Sequence, residues 1–108
     1  MLRTIIFSIL FVSAFSLHAQ NLQVIRLTSP DKTRGTAVMR ALNERQSVRE
    51  YAATSLRAQD LSDLLWAANG VNRADGRRTA PSTRNLQEIE IYVVFPEGIY
   101  HNNAATHT

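Results

Sequence analysis

The chain has 108 residues, with 12 basic and 9 acidic side chains and no cysteine. Without thiols it has no disulfide framework, Cys-ligated zinc, iron–sulfur cluster or lipid-modified cysteine. Its formal charge of only +3, with basic residues not interleaved with aromatics, speaks against a nucleic-acid partner.

Residues 1–19 read as a signal peptide, and so predict an exported, periplasmic or secreted product. Arg3 supplies the charged start, Ile5 to Phe15 is apolar except for Ser8 and Ser13, and Ala19 places a small residue before the polar Gln20-Asn21. That apolar run is well short of the roughly 20 residues that span a bilayer as a helix, so no stable anchor is expected after cleavage; a retained anchor is the alternative. Residues 20–35 follow as an extended arm, in which Leu22, Val24, Ile25 and Leu27 lead into Thr28-Ser29-Pro30-Asp31.

From Thr36, a capping residue, a helix is predicted through Glu44, with Val38, Ala41 and Leu42 on one face. Arg45-Gln46-Ser47-Val48-Arg49 leaves that helix. On extended backbone the spacing of two turns Arg45, Ser47 and Arg49 to one side, where two guanidinium forks and a hydroxyl suit a phosphate dianion. The alternative is a pair of surface ion pairs with Glu44 and Glu50.

Tyr51 to Ser55 reads as a loop and Ala58 to Asn69 as a helix, with Leu61, Leu64, Leu65 and Ala68 in an i, i+3, i+4, i+7 stripe. Trp66, the single tryptophan, fits core packing or, less simply, a stacking platform. Asn69-Gly70 can form a left-handed helix cap, followed by a polar loop at Asn72 to Gly76 for which mobility is expected. Arg73, Arg77, Arg78 and Arg84 cluster along the next stretch, as an anion-attracting patch or a solvated surface.

Pro81-Ser82 predicts a short helical turn capped by Ser82 and presenting Asn85 one turn later. A carboxamide both donates and accepts, which suits a ring edge carrying carbonyls beside an N–H; an ordinary capped turn with a solvated asparagine is the plainer reading. Glu88 to Phe95 alternates as a half-buried strand, its apolar face set to pack on the Leu61, Leu64, Leu65 and Trp66 face of the helix. After the Pro96-Glu97-Gly98 turn, Ile99-Tyr100 starts a returning strand of a hairpin that looks unfinished. His101 and His107 lie in a tail with no carboxylate after Glu97, so no metal site is expected. No nucleophile elbow, dinucleotide-type glycine pattern or Gly-Lys-Ser/Thr phosphate loop occurs.

Taken in order, "ERQSVREY", "LSDLLWAANGVNR", "GRRTAPSTRN", "IEIYVVFPEGIY" and "NAATHT" resemble the N-terminal part of the nitroreductase-like FMN oxidoreductases, in particular the branch with the SagB-type dehydrogenases. The resemblance implies an α+β fold, here its incomplete N-terminal part, with residues 36–108 as a truncated domain. It implies FMN as cofactor, with Arg45, Gln46, Ser47 and Arg49 on its phosphate and ribityl chain and Asn85, placed by Pro81 and Ser82, facing the flavin ring. Family members are homodimers whose subunits jointly build each flavin pocket. Their flavin passes electrons from NAD(P)H to nitroaromatics, quinones or, in the SagB-type branch, azoline rings. Export would call for another donor or for flavin loading beforehand. A non-enzymatic exported binding module or inactive remnant, with arginines that hold an acidic partner, is the competing function.

Overall fold

A computed structural model describes residues 22–108, so the predicted leader lies outside the described residues. Two helices come first, α1 (Val38–Glu44) and α2 (Ala58–Asn69), then a single turn at Thr83–Asn85, then strands β1 (Ile91–Phe95) and β2 (Gly98–Asn102). Among the described residues, no helix is long and apolar enough to cross a membrane.

Helix α2 has the bounds its leucine spacing predicts, but it buries a different face. Ser62, Leu65 and Asn69 are buried, whereas Leu64 is 60 % exposed and Ala68 is exposed. The cause lies in what covers the helix. Along one side run residues 28–34 of the arm, which reach α2 mainly through polar groups and so favour Ser62 over a leucine at the contact. Gln59 Nε2 donates to Ser29 O (2.9 Å), the Asp31 amide donates to Asp63 Oδ1 (2.7 Å), and Ser62 Oγ donates to Thr28 O. Arg34 bridges Asp60 and Asp63, each at 2.6 Å.

The end of α2 departs from the sequence expectation. Gly70 adopts φ −70°, ψ 156°, not a left-handed cap. Its glycine is required by close approach instead: a Cβ there would lie 2.6 Å from Trp66 O. The backbone then forms a small antiparallel hairpin. Val71 pairs with Arg78, Asn72 N donates to Arg77 O (3.1 Å), and Gly76 takes φ +81° at the turn. The polar loop from Asn72 to Gly76 is thus hydrogen-bonded across its base.

Strands β1 and β2 pair antiparallel with Phe95 opposite Gly98 and Ile91 opposite Asn102, so the hairpin is completed rather than unfinished. Ile91, Val93 and Phe95 are half-buried while Tyr92 and Val94 are exposed, as the alternation predicts. Pairing starts at Ile91 rather than Glu88. Asn69 Nδ2 instead donates to Ile89 O at 3.2 Å, tying the end of α2 to the segment before β1. Of the residues expected to pack helix on strand, Leu65 is buried, whereas Leu64 and Ile89 stand 60 % and 59 % exposed.

Helix α1 starts at Val38, without a side-chain cap from Thr36, and has no buried residue. Its apolar face, Val38 with Leu42, stands exposed beside Met39.

Candidate functional site

Arg45 leaves α1 with φ −63°, ψ 124°, and residues 45–50 have no regular hydrogen-bonded structure. All of them are exposed. The ion pairs set out as the alternative for this segment do not form among the described residues. Glu44 is engaged by Arg40 at 2.8 Å, one turn earlier on α1, and among the described residues neither Arg45 nor Arg49 has a carboxylate within ion-pair distance. The segment therefore offers uncommitted guanidinium donors, Gln46 and the Ser47 hydroxyl in one short exposed stretch, a donor set that fits a phosphate dianion.

The second block has a tighter internal geometry. Ser82 is extended (φ −141°, ψ 135°) and its carbonyl accepts the Asn85 amide at 3.1 Å. Its hydroxyl does not cap the turn but accepts the Gln87 amide at 2.7 Å. Arg84 (φ 53°), Asn85 (φ 56°) and Gln87 (φ 53°) all lie in the left-handed region. Asparagine is tolerated there, whereas arginine and glutamine pay for it, so the loop stores conformational strain. Gln87 meets part of that cost: its Nε2 donates to Asn85 Oδ1 and to Gly76 O, both at 3.1 Å. Ser82, Asn85 and Gln87 are thus brought together. No hydrogen bond or ion pair among the described residues joins them, or Pro81, to the Arg45–Arg49 segment.

A third cluster lies away from both. Ser62, fully buried, sits between Thr28 O and His107 Nε2, with the imidazole nitrogen 2.7 Å from its hydroxyl and 3.1 Å from the carbonyl. Because the carbonyl can only accept, Nε2 carries the proton. It cannot then act as a base toward Ser62, which makes this a structural clasp and not a nucleophilic dyad. Nearby, hydrogen bonds from Arg57 and then Arg34 hold the Asp60 carboxyl down to about 2. The Asp31 amide likewise lowers Asp63. Arg78 Nε is buried with no partner among the described residues. Also among the described residues, no three His, Asp or Glu side chains converge as a metal site.

Residues 42–107 match the nitroreductase family, which is well over half of the chain. The chain belongs to that family. A Methanocaldococcus jannaschii protein named as a nitroreductase is 44 % identical over 52 residues, which is 48 % of this chain and 26 % of that protein. A crystal structure from Ralstonia eutropha JMP134, also named as a nitroreductase, aligns with 77 % of this chain and 40 % of its own at a TM-score of 0.71 and 44 % identity. The chain therefore spans less than half the length of these relatives. Both blocks, Arg45–Arg49 and Pro81–Asn85, fall within the nitroreductase match.

The sequence reading missed Gln87, Ser62 and His107. For Gln87 a signal existed, two carboxamides spaced by two beside a predicted turn. Ser62 and His107 carried none, since their meeting depends on how distant segments pack.

Proposed function

We propose that this chain contributes an FMN-holding part of an oxidoreductase allied to the SagB-type branch, one that passes electrons through bound flavin to a nitroaromatic, quinone or azoline-type substrate. NAD(P)H or another electron donor would reduce the flavin, and the working unit would be a homodimer. The observation that carries this reading is the exposed Arg45–Arg49 segment, whose arginines have no carboxylate partner among the described residues. Arg45, Ser47 and Arg49 bind the phosphate, Gln46 reaches the ribityl chain, and Asn85, set by Pro81 and Ser82, meets the ring's pyrimidine edge. Bound FMN supplies the redox chemistry; the protein positions it and sets the local field.

Fluorescence titration with FMN and riboflavin tests this. A charge-assisted contact is worth roughly 1.5–3 kcal/mol, so FMN is expected to bind at least tenfold more tightly, and Arg49→Ala to remove most of the difference. Asn85→Ala is expected to weaken both ligands alike. A folded chain with no preference for FMN would return Arg45 and Arg49 to a surface role.

The same proposal places the protein outside the cytoplasm, with its leader cut at or near Ala19. N-terminal sequencing of protein from the producing cells is expected to begin near Gln20, and a cytoplasmic product starting at Met1 would exclude export.

A further inference from the structure

We propose that Arg78 is an anion-binding residue that takes the carboxylate or phosphate group of a small-molecule ligand at the Val71–Arg78 hairpin. Such a site is separate from the flavin reading and does not depend on it. Arg78 sits where the hairpin is most firmly held. Val71 pairs with it, Asn72 N donates to Arg77 O (3.1 Å), Thr79 N donates to Gly70 O (2.9 Å), and Trp66 Nε1 donates to Val71 O (3.2 Å). Neighbours along a strand point to opposite faces, so the two adjacent arginines diverge. Arg77 is exposed, and Asp75 meets its charge at 3.3 Å. Arg78 is half-buried on the face it shares with Val71, and no carboxylate reaches it among the described residues.

The surroundings of that guanidinium are uneven. Its Nε is buried with no hydrogen-bond partner among the described residues, whereas its Nη end is not closed off. One edge of the charge is thus stripped of water while the other faces outward. A guanidinium stays charged at any working pH, so it cannot relieve that desolvation by shedding a proton as a buried lysine can. What relieves it is a counter-anion on the open edge, where parallel N–H donors match an oxyanion. The local charge balance adds to the attraction. From Gly70 to Gln87 the sequence has Arg73, Arg77, Arg78 and Arg84 against Asp75 alone, and Arg77 already engages that acid. Gln87 Nε2 donates to Gly76 O at 3.1 Å, which fastens the hairpin to the segment that follows the Pro81–Asn85 turn. A ligand held by Arg78 therefore sits on a braced hairpin near that turn.

The test follows urea unfolding through Trp66 with and without inorganic phosphate, in a chain carrying Arg45→Ala and Arg49→Ala so that the other arginine block takes no part. Phosphate strengthens folding in general through exclusion from the surface, so the difference between variants decides. With Arg78 in place, phosphate should raise the urea midpoint by about 0.5 M more than it does with Arg78→Met. Arg77→Met, on the opposite face, should keep the full rise. Without phosphate, Arg78→Met should unfold at no lower urea concentration than its parent, because it removes an unpaired charge and keeps an apolar stem. Acetate at equal ionic strength separates the two sources: a larger Arg78-dependent rise with acetate assigns a carboxylate ligand, and a larger one with phosphate assigns a phosphate ester. Equal rises with Arg78 and with Arg78→Met, for both anions, would show that no anion binds there. An Arg78→Met chain that fails to fold, or unfolds earlier without anion, would show that another part of the protein already engages Arg78. Either result overturns the proposal, and neither bears on the flavin reading, which is tested through Arg49.

Discussion

Replacing Gly70 by alanine should destabilise the protein for a steric reason that its backbone angles do not reveal. At φ −70°, ψ 156° any residue is at ease. The added methyl, however, would stand 2.6 Å from Trp66 O and 2.7 Å from Trp66 Cγ, inside the 3.0 Å that Cβ atoms keep from other heavy atoms. Neither neighbour yields cheaply. The carbonyl accepts the Gly70 amide at 2.7 Å and the Thr79 hydroxyl at 3.3 Å, and the indole is pinned by its Nε1, which donates to Val71 O at 3.2 Å. Overpacking of this kind costs about 1–3 kcal/mol and a stretched hydrogen bond about 0.5–1.5 kcal/mol. Alanine offsets about 0.4–1 kcal/mol by restricting the unfolded chain. A net loss of about 0.5–4 kcal/mol remains. Urea unfolding followed through Trp66, the single tryptophan, measures it directly. Gly98→Ala is the comparator, since its nearest neighbour would be an ordinary 3.7 Å away. If Gly70→Ala unfolds at the same urea concentration as the parent, the close approach does not exist.

Acid should loosen the arm from α2. Asp60 is held at about 2, below the usual 3.8, so its contribution is complete above about pH 4 and is lost as pH falls toward about 2; amide exchange at Asp31 and Thr33 should quicken over that window, and exchange that stays flat across it would refute the attachment. Ser62→Ala removes a buried hydroxyl that both donates to Thr28 O and accepts from His107. A loss of about 1–2 kcal/mol is expected, together with faster tryptic cleavage at Arg26 and Lys32, and unchanged cleavage would show that the clasp does not hold the arm.

The elements legible in the sequence are those specified by their own periodicity. Ala58–Asn69 followed from the leucine spacing and the glycine after it, and Ile91–Phe95 from strict alternation. Which face each would bury was not legible. That depends on the covering segments, and those over α2 are polar; Ser62 in the sequence looks like one more hydrophilic helix position. The arginine stretch was legible as an exposed segment after α1, and it is exposed throughout, while the shared side expected of its spacing of two stays part of the proposal. The left-handed loop was not legible, since only Asn85 among Arg84, Asn85 and Gln87 belongs to the residue types that favour that conformation. Gly70 shows the limit most clearly, because a glycine after a helix suggests a cap and here answers a crowded indole instead.

The clasp around Ser62 also sets an order of events. Thr28 meets a residue 34 positions away in Ser62 and 79 away in His107, whereas helix α2 and the β1–β2 hairpin close over short stretches of chain. Distant closures pay their entropy before any contact rewards them, while helices and hairpins form within microseconds. The arm is then expected to dock last and, held by a few polar contacts, to peel away first. It forms a seam that opens while the rest of the fold persists, so protease access and hydrogen exchange there report a local equilibrium rather than the stability of the whole chain.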